Sequence, residues 1–208
     1  MVVPGLLPQS NIASHEDDQS QLALQLFNEG LKELNLTRSS MQPIVLSHSD
    51  VPGQKKLSES IAERWKNVLG VKVELSGCGW NVFFSNLVRR QYQIGGCIWF
   101  ALFHDPIYNL EFFKDPVSRY NTPQWQNDRY VKLLDKADQE IDTEKRLAYL
   151  HDAEKLLLDE MPVIPLYVNN YRFMMRDNIK GLYLSELGDV DFKWTSIEAP
   201  ASMHLASR

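Results

Sequence analysis

Residues 43–75 constrain the fold more than any other stretch of the chain. Pro43-Ile-Val-Leu-Ser47 is a short apolar run that gives way to Ser, Asp, Pro and Gly, the pattern of a strand leaving into a loop. Lys55 to Leu69 follows as a helix with Leu57, Ile61, Trp65, Val68 and Leu69 on one side. Gly70 supplies its stop, because a left-handed residue there costs glycine nothing. Val71-Lys-Val-Glu-Leu75 then alternates as a second strand. Strands joined through such a crossover run parallel, and the connection is right-handed. An α/β fold is therefore expected, with a mostly parallel sheet flanked by helices.

The remaining segments extend that plan. Residues 1–18 show no period and read as a connector, and from Ser20 the residues Ala23, Leu26, Phe27, Leu31 and Leu34 recur at helical spacing. Trp80 to Val88 is apolar enough for another helix, and Ile94 to Phe103 reads as a third strand buried on both faces. Asn127 is a plausible N-cap for a helix whose stripe is Tyr130, Leu133, Leu134, Ala137 and Ile141. A further helix runs from about Thr143 to Glu160, with Leu147, Leu150, Ala153, Leu157 and Leu158 inward, until Met161-Pro162 stops it. Val163–Val168 and Tyr171–Met175 read as strands around an Asn169-Asn170 turn, with Pro165 marking an edge or irregular strand.

Composition narrows function by exclusion. The net charge is -5, and Lys55-Lys56 and Arg89-Arg90 are isolated pairs, so the basic footprint of a nucleic-acid binder is missing. No apolar run approaches the ~20 residues of a membrane helix. Met1 to Pro8 lacks a charged n-region and is broken by Pro4 and Pro8, so it does not read as a signal peptide. Cys78 and Cys97 fit no metal spacing; two thiols or one disulfide both remain open.

Catalytic chemistry finds little support. His104-Asp105 and His151-Asp152 imitate metal-site pairs, but one precedes Pro106 at a strand exit and only the other is helical. Ser76-Gly-Cys-Gly79 is the nearest imitation of a nucleophile turn, and it suggests a small α/β hydrolase using Cys78 only if a base or cation stands nearby. No phosphate-binding glycine motif occurs, so no nucleotide or other cofactor is expected. What stands out is aromatic density between Trp80 and Phe113. Most of these rings belong to a core. Those at strand carboxyl ends, Trp80 and the segment Trp99 to His104, lie where open α/β sheets place their ligands.

The order of segments resembles the C-terminal lobe of the periplasmic oligopeptide- and dipeptide-binding proteins. The resemblance is carried by Ile61-Ala-Glu-Arg-Trp65 with Leu69-Gly-Val-Lys-Val-Glu-Leu75, then Trp80-Asn-Val-Phe-Phe, Tyr92-Gln-Ile and Trp99 to Pro106. Asn121, Trp125 to Ala137, Arg146 to Glu154, Met161 to Tyr167 and Asp191-Phe192 complete it, over roughly residues 20 to 195. It implies one lobe of a type II periplasmic-binding-protein fold, with residues 1–18 as connector, 19–195 as lobe and 196–208 as tail. Its implied partners are a peptide or modified peptide, the membrane subunits of an ABC importer and an N-terminal lobe that closes on the ligand like a flytrap. The implied setting for the parent protein is the periplasm or cell envelope.

In such proteins an extended peptide adds to a strand edge while its side chains enter tolerant pockets. Carried over, Ile98, Trp99, Phe100 and Ala101 would be that edge, continuing through Leu102, Phe103 and His104, with Trp80 and Trp99 as pocket walls. Relatives that bind peptides usually have an aspartate for the peptide's amino group three residues after this tryptophan; here that position is Leu102. Gly95 and Gly96 fall where relatives carry larger side chains, which implies a roomier, less charged pocket. Asp105 fits the family's Asp-Pro turn and so has a structural role. An interaction module on the same fold, binding no solute, is the alternative.

Overall fold

The structure, a computed structural model, describes residues 7, 18–168, 172–185 and 188–198. The strand–helix–strand unit forms as expected, with β1 at Ile44–Ser49, α2 at Gln54–Leu69 and β2 at Val73–Cys78. Gly70 takes φ 68°, the left-handed turn that lets the Lys66 carbonyl accept its N–H. β1 is central, with β2 and a short β3 (Ile94–Gly95) parallel on either side. Leu46, buried on β1, faces Leu75 on one neighbour and Ile94 on the other. β2 runs three residues past the expected end, because Ser76, Gly77 and Cys78 pair with Ser47, His48 and Ser49. Gly77 permits this: a Cβ there would sit 2.7 Å from Cε1 of the buried His48 ring.

The expected strand from Ile94 to Phe103 is corrected. Only Ile94 and Gly95 pair with β1, and the Gly96 N–H gives one more bond to the Ser47 carbonyl at 3.3 Å. Beyond that the chain leaves the sheet. A strand buried on both faces needs covering layers, whereas Trp99, Phe100, Leu102 and Phe103 are exposed at this edge. The run is apolar because it walls a surface, and period alone does not separate the two cases.

The second half packs as helices. α3 (Trp80–Val88) buries Phe83 and Leu87, and α4 (Ile107–Leu110) leads into a single 3₁₀ turn at Glu111–Phe113. α5 (Asp128–Gln139) starts at Asn127, whose side chain accepts from the Arg129 and Tyr130 N–H groups. α6 (Thr143–Glu160) ends at Met161 in the left-handed region, φ 50°. Together these helices bury Leu110, Phe113, Tyr130, Leu134, Ala137, Leu150, Ala153 and Leu157 in one cluster. Leu7, within the expected connector, is buried in the same cluster. Ile141 is 97% exposed, because α5 stops before it and Glu140 turns extended.

α1 (Ser20–Glu33) buries only Leu31 and leaves Leu26 and Leu34 in solvent. The strands expected at 163–168 and 172–175 are not formed, and the turn between them, with Tyr171, lies outside the described residues. Pro165 removes a ladder donor from the first of these segments. The short pairs that do form are antiparallel: β4 (Ile179–Lys180) with β7 (Ser196–Ile197), and β5 (Tyr183–Leu184) with β6 (Val190–Asp191).

Candidate functional site

The three parallel strands end near one another, at Ser49, Cys78 and Gly95. Trp80 opens α3 directly after β2, and Trp99 follows β3 by four residues, so both tryptophans rise from the carboxyl edge of the sheet. Trp80 stacks on Phe84, centroids 5.6 Å apart, and Phe84 stacks on Trp99 at 6.4 Å. Trp99 meets Phe112 at 5.0 Å and Tyr120 at 5.3 Å, both edge-on. Phe112 continues to Tyr108 at 5.1 Å, and Tyr108 to Phe103 at 5.3 Å. The rings form one connected wall. It stays open to solvent, with Trp80 and Trp99 each 41% exposed and Phe103 63%.

Among the residues nominated from sequence, Trp80, Trp99 and Phe103 belong to this wall. Phe100, Leu102 and His104 are exposed beside it, Leu102 at 68%. Ile98 is half-buried, and Ala101 instead packs inward against the helical cluster, anchoring the segment. None of Ile98 to Ala101 lies in a strand, so the expected strand edge is not formed there. Gly95 is not spare room, since a Cβ would come within 2.6 Å of Leu87 Cδ2 and 3.4 Å of Tyr92; at Gly96 nothing lies within 4 Å. Asp105 holds the turn after the wall. Its Oδ1 accepts from the Ile107 N–H at 3.0 Å, and the Arg146 guanidinium donates to both carboxylate oxygens at 3.0 Å.

Sequence reasoning missed the loop that closes the wall, residues 114–125. Asn121, fully buried, fixes it: its amide donates to the Asp115 and Trp125 carbonyls at 3.2 and 2.8 Å and accepts from the Trp125 N–H at 3.1 Å. Arg90 reaches across from the end of α3 to the Pro116 carbonyl at 3.4 Å. So held, the loop brings Tyr120 to Trp99 and lays Arg119 against two rings, its guanidinium carbon 5.8 Å from the Phe84 centroid and 5.0 Å from that of Tyr120. Asn121 was the readable signal, being already part of the family-like motif.

Cys78 and Cys97 are free thiols, one ending β2 and the other just past β3, with β1 between those strands. Desolvation by surrounding protein pushes the Cys97 thiol up, which disfavours the nucleophilic thiolate. Among the described residues, no three His, Cys, Asp or Glu side chains converge as a metal site would require. A cavity of about 370 Å³ lies elsewhere, under the C-terminal pairs, lined by Phe173, Met175, Leu182, Leu184 and Phe192 among others. The aromatic wall itself is an open face.

The chain thus has an α/β fold, a parallel sheet flanked by helices, with an aromatic face at the carboxyl edge of the strands. The solved substrate-binding domain of an oligopeptide ABC transporter from Bacillus anthracis has this fold: the TM-score is 0.76 at 23% identity, covering 91% of this chain and 37% of that one. The pheromone receptor PrgZ superposes with a TM-score of 0.69 at 26% identity, over 87% of this chain and 34% of its own.

The chain is homologous to the oligopeptide- and dipeptide-binding proteins. It is 36% identical over 179 residues to the oligopeptide-binding protein OppA of Bacillus subtilis (strain 168), matching 86% of this chain and 33% of that protein. It is 35% identical over 172 residues to the dipeptide-binding protein DppE of the same strain, 83% of this chain and 31% of that one. The chain thus spans about a third of the length of these curated relatives. No family model matches it.

Proposed function

We propose that this chain is the carboxyl-terminal ligand-binding lobe of a peptide-type solute-binding protein, and that the parent delivers its solute to the membrane subunits of an ABC importer. The supporting observation is the exposed ring wall from Trp80 to Phe103, set at the carboxyl edge of a parallel sheet in a homologue of peptide binders. Aromatic faces bury the apolar side chains of many peptides without demanding one sequence. The reading is a binding protein working in the periplasm or cell envelope, not an enzyme. Residues 19–195 are the lobe, and the site comprises Trp80 with the segment Ile98 to His104.

The parent's N-terminal lobe supplies the opposing wall. The C-terminal segment offers it a docking face, since Phe173, Met174, Phe192, Trp194 and Ile197 are all exposed there. Leu102 shapes ligand choice. A peptide ammonium enclosed against it loses water and gains no carboxylate, so blocked or modified amino termini are preferred. Calorimetry on the two-lobe parent with a free peptide and its N-acetylated form tests this. The acetylated form is expected to bind more tightly, and clear preference for the free amine would overturn it.

A further inference from the structure

We propose that Arg119 is the anion anchor of the aromatic wall, and that it makes the ligand a peptide presenting a carboxylate beside an apolar side chain. The inference rests on the peptide-binding reading and names the charge that the site selects.

Arg119 occupies an unusual position for an exposed arginine. Its guanidinium plane is held near the Phe84 and Tyr120 rings, both of which touch Trp99. A guanidinium against ring faces keeps its edge N–H donors free, and those donors match a carboxylate in bidentate fashion. Among the described residues no carboxylate pairs with it within 4 Å. Three neighbouring cations have partners: Lys114 bonds Asp135 and Asp138, Arg90 the Pro116 carbonyl, and Arg146 Asp105. Asp115 is occupied with its own turn, accepting from the Val117 N–H at 2.9 Å.

The position is also fixed in advance. The buried Asn121, two residues on, ties the loop down with three hydrogen bonds, so little order is lost when a ligand arrives. The segment Ile98 to Phe103 carries no acidic side chain. The wall therefore presents Arg119 beside an apolar surface, although the chain as a whole has a net charge of -5. A carboxylate at Arg119 places an adjoining side chain against Trp99.

Titration calorimetry of the 208-residue chain with N-acetyl-Ala-Ala-Phe as free acid and as carboxamide tests the assignment, the blocked amine removing Leu102 from the comparison. The acid is expected to bind about tenfold more tightly than the amide, with the advantage shrinking as salt rises. Arg119→Gln should abolish the difference while leaving amide binding in place, and Arg119→Lys should restore part of it. Equal binding of acid and amide by the unaltered chain would overturn the anchor and leave the peptide reading standing. Equal weakening of both by Arg119→Gln would do the same, showing that the side chain only props Phe84 and Tyr120. Binding of neither probe would overturn the anchor, and the peptide reading would then rest on the two-lobe parent.

Discussion

Asn121 shows how much a single polar side chain decides here. It is fully buried, uses both ends of its amide, and through Asp115 and Trp125 sets the loop that completes the aromatic wall. Asn121→Ala leaves the Trp125 N–H without its partner and should cost about 2–3 kcal/mol in urea unfolding. At Leu102 the expected effect falls on ligand choice: Leu102→Asp should shift calorimetric preference toward free-amine peptides by about tenfold. Tyr130 sets a pH limit. Its hydroxyl donates to the Leu110 carbonyl at 2.7 Å, and burial, with Glu154 and Glu111 adding repulsion, raises its pKa well above the ordinary phenol range. Lys114 is raised as well, chiefly by its bond to Asp135. Both groups hold their protons longer folded than unfolded, so stability is full below the unfolded values near pH ~10 and falls above them. Urea melts between about pH 8 and 11 should show the decline, and Tyr130→Phe should flatten it.

Elements are set by different physics at their two ends. α2 stops and α5 begins where local chemistry says: Gly70 turns left-handed, and Asn127 caps two N–H groups while its own amide donates to Glu160. The Asn127 and Trp125 side chains both donate to that carboxylate, at 2.6 and 2.7 Å, so Asn127→Ala should destabilise by about 1–2 kcal/mol in thermal or chemical melts. β3 is the contrary case. It ends after two residues, although β1 continues to Ser49, because the following apolar residues face outward. Its glycines test that account. Gly95→Ala must displace Leu87 and should destabilise by about 1–3 kcal/mol, whereas Gly96→Ala meets open space and should be near neutral.

For the whole molecule the open wall is the governing fact. On the proposed reading a single lobe desolvates a ligand from one side, so calorimetric affinity of this chain should fall well below that of a two-lobe parent and rise when an N-terminal lobe is added in trans. The C-terminal segment points the same way. Phe173, Met174, Phe192, Trp194 and Ile197 expose apolar surface that single domains normally cover.

The sequence alone determined the α/β class, the parallel β1–α2–β2 unit, the caps at Gly70 and Asn127 and the two long helices, because each is written in local period and turn chemistry. The strand carboxyl ends nominated Trp80 and Trp99, and the order of motifs carried the family resemblance. Tertiary structure decided the rest. Whether Ile94 to Phe103 was an inner strand or a surface wall depended on what lay beside it, which an apolar run does not state. Tyr120 and Arg119 joined the wall only because a buried asparagine folds a distant loop onto it. Such proximity comes from packing between segments far apart in the chain, and spacing along the sequence does not record it.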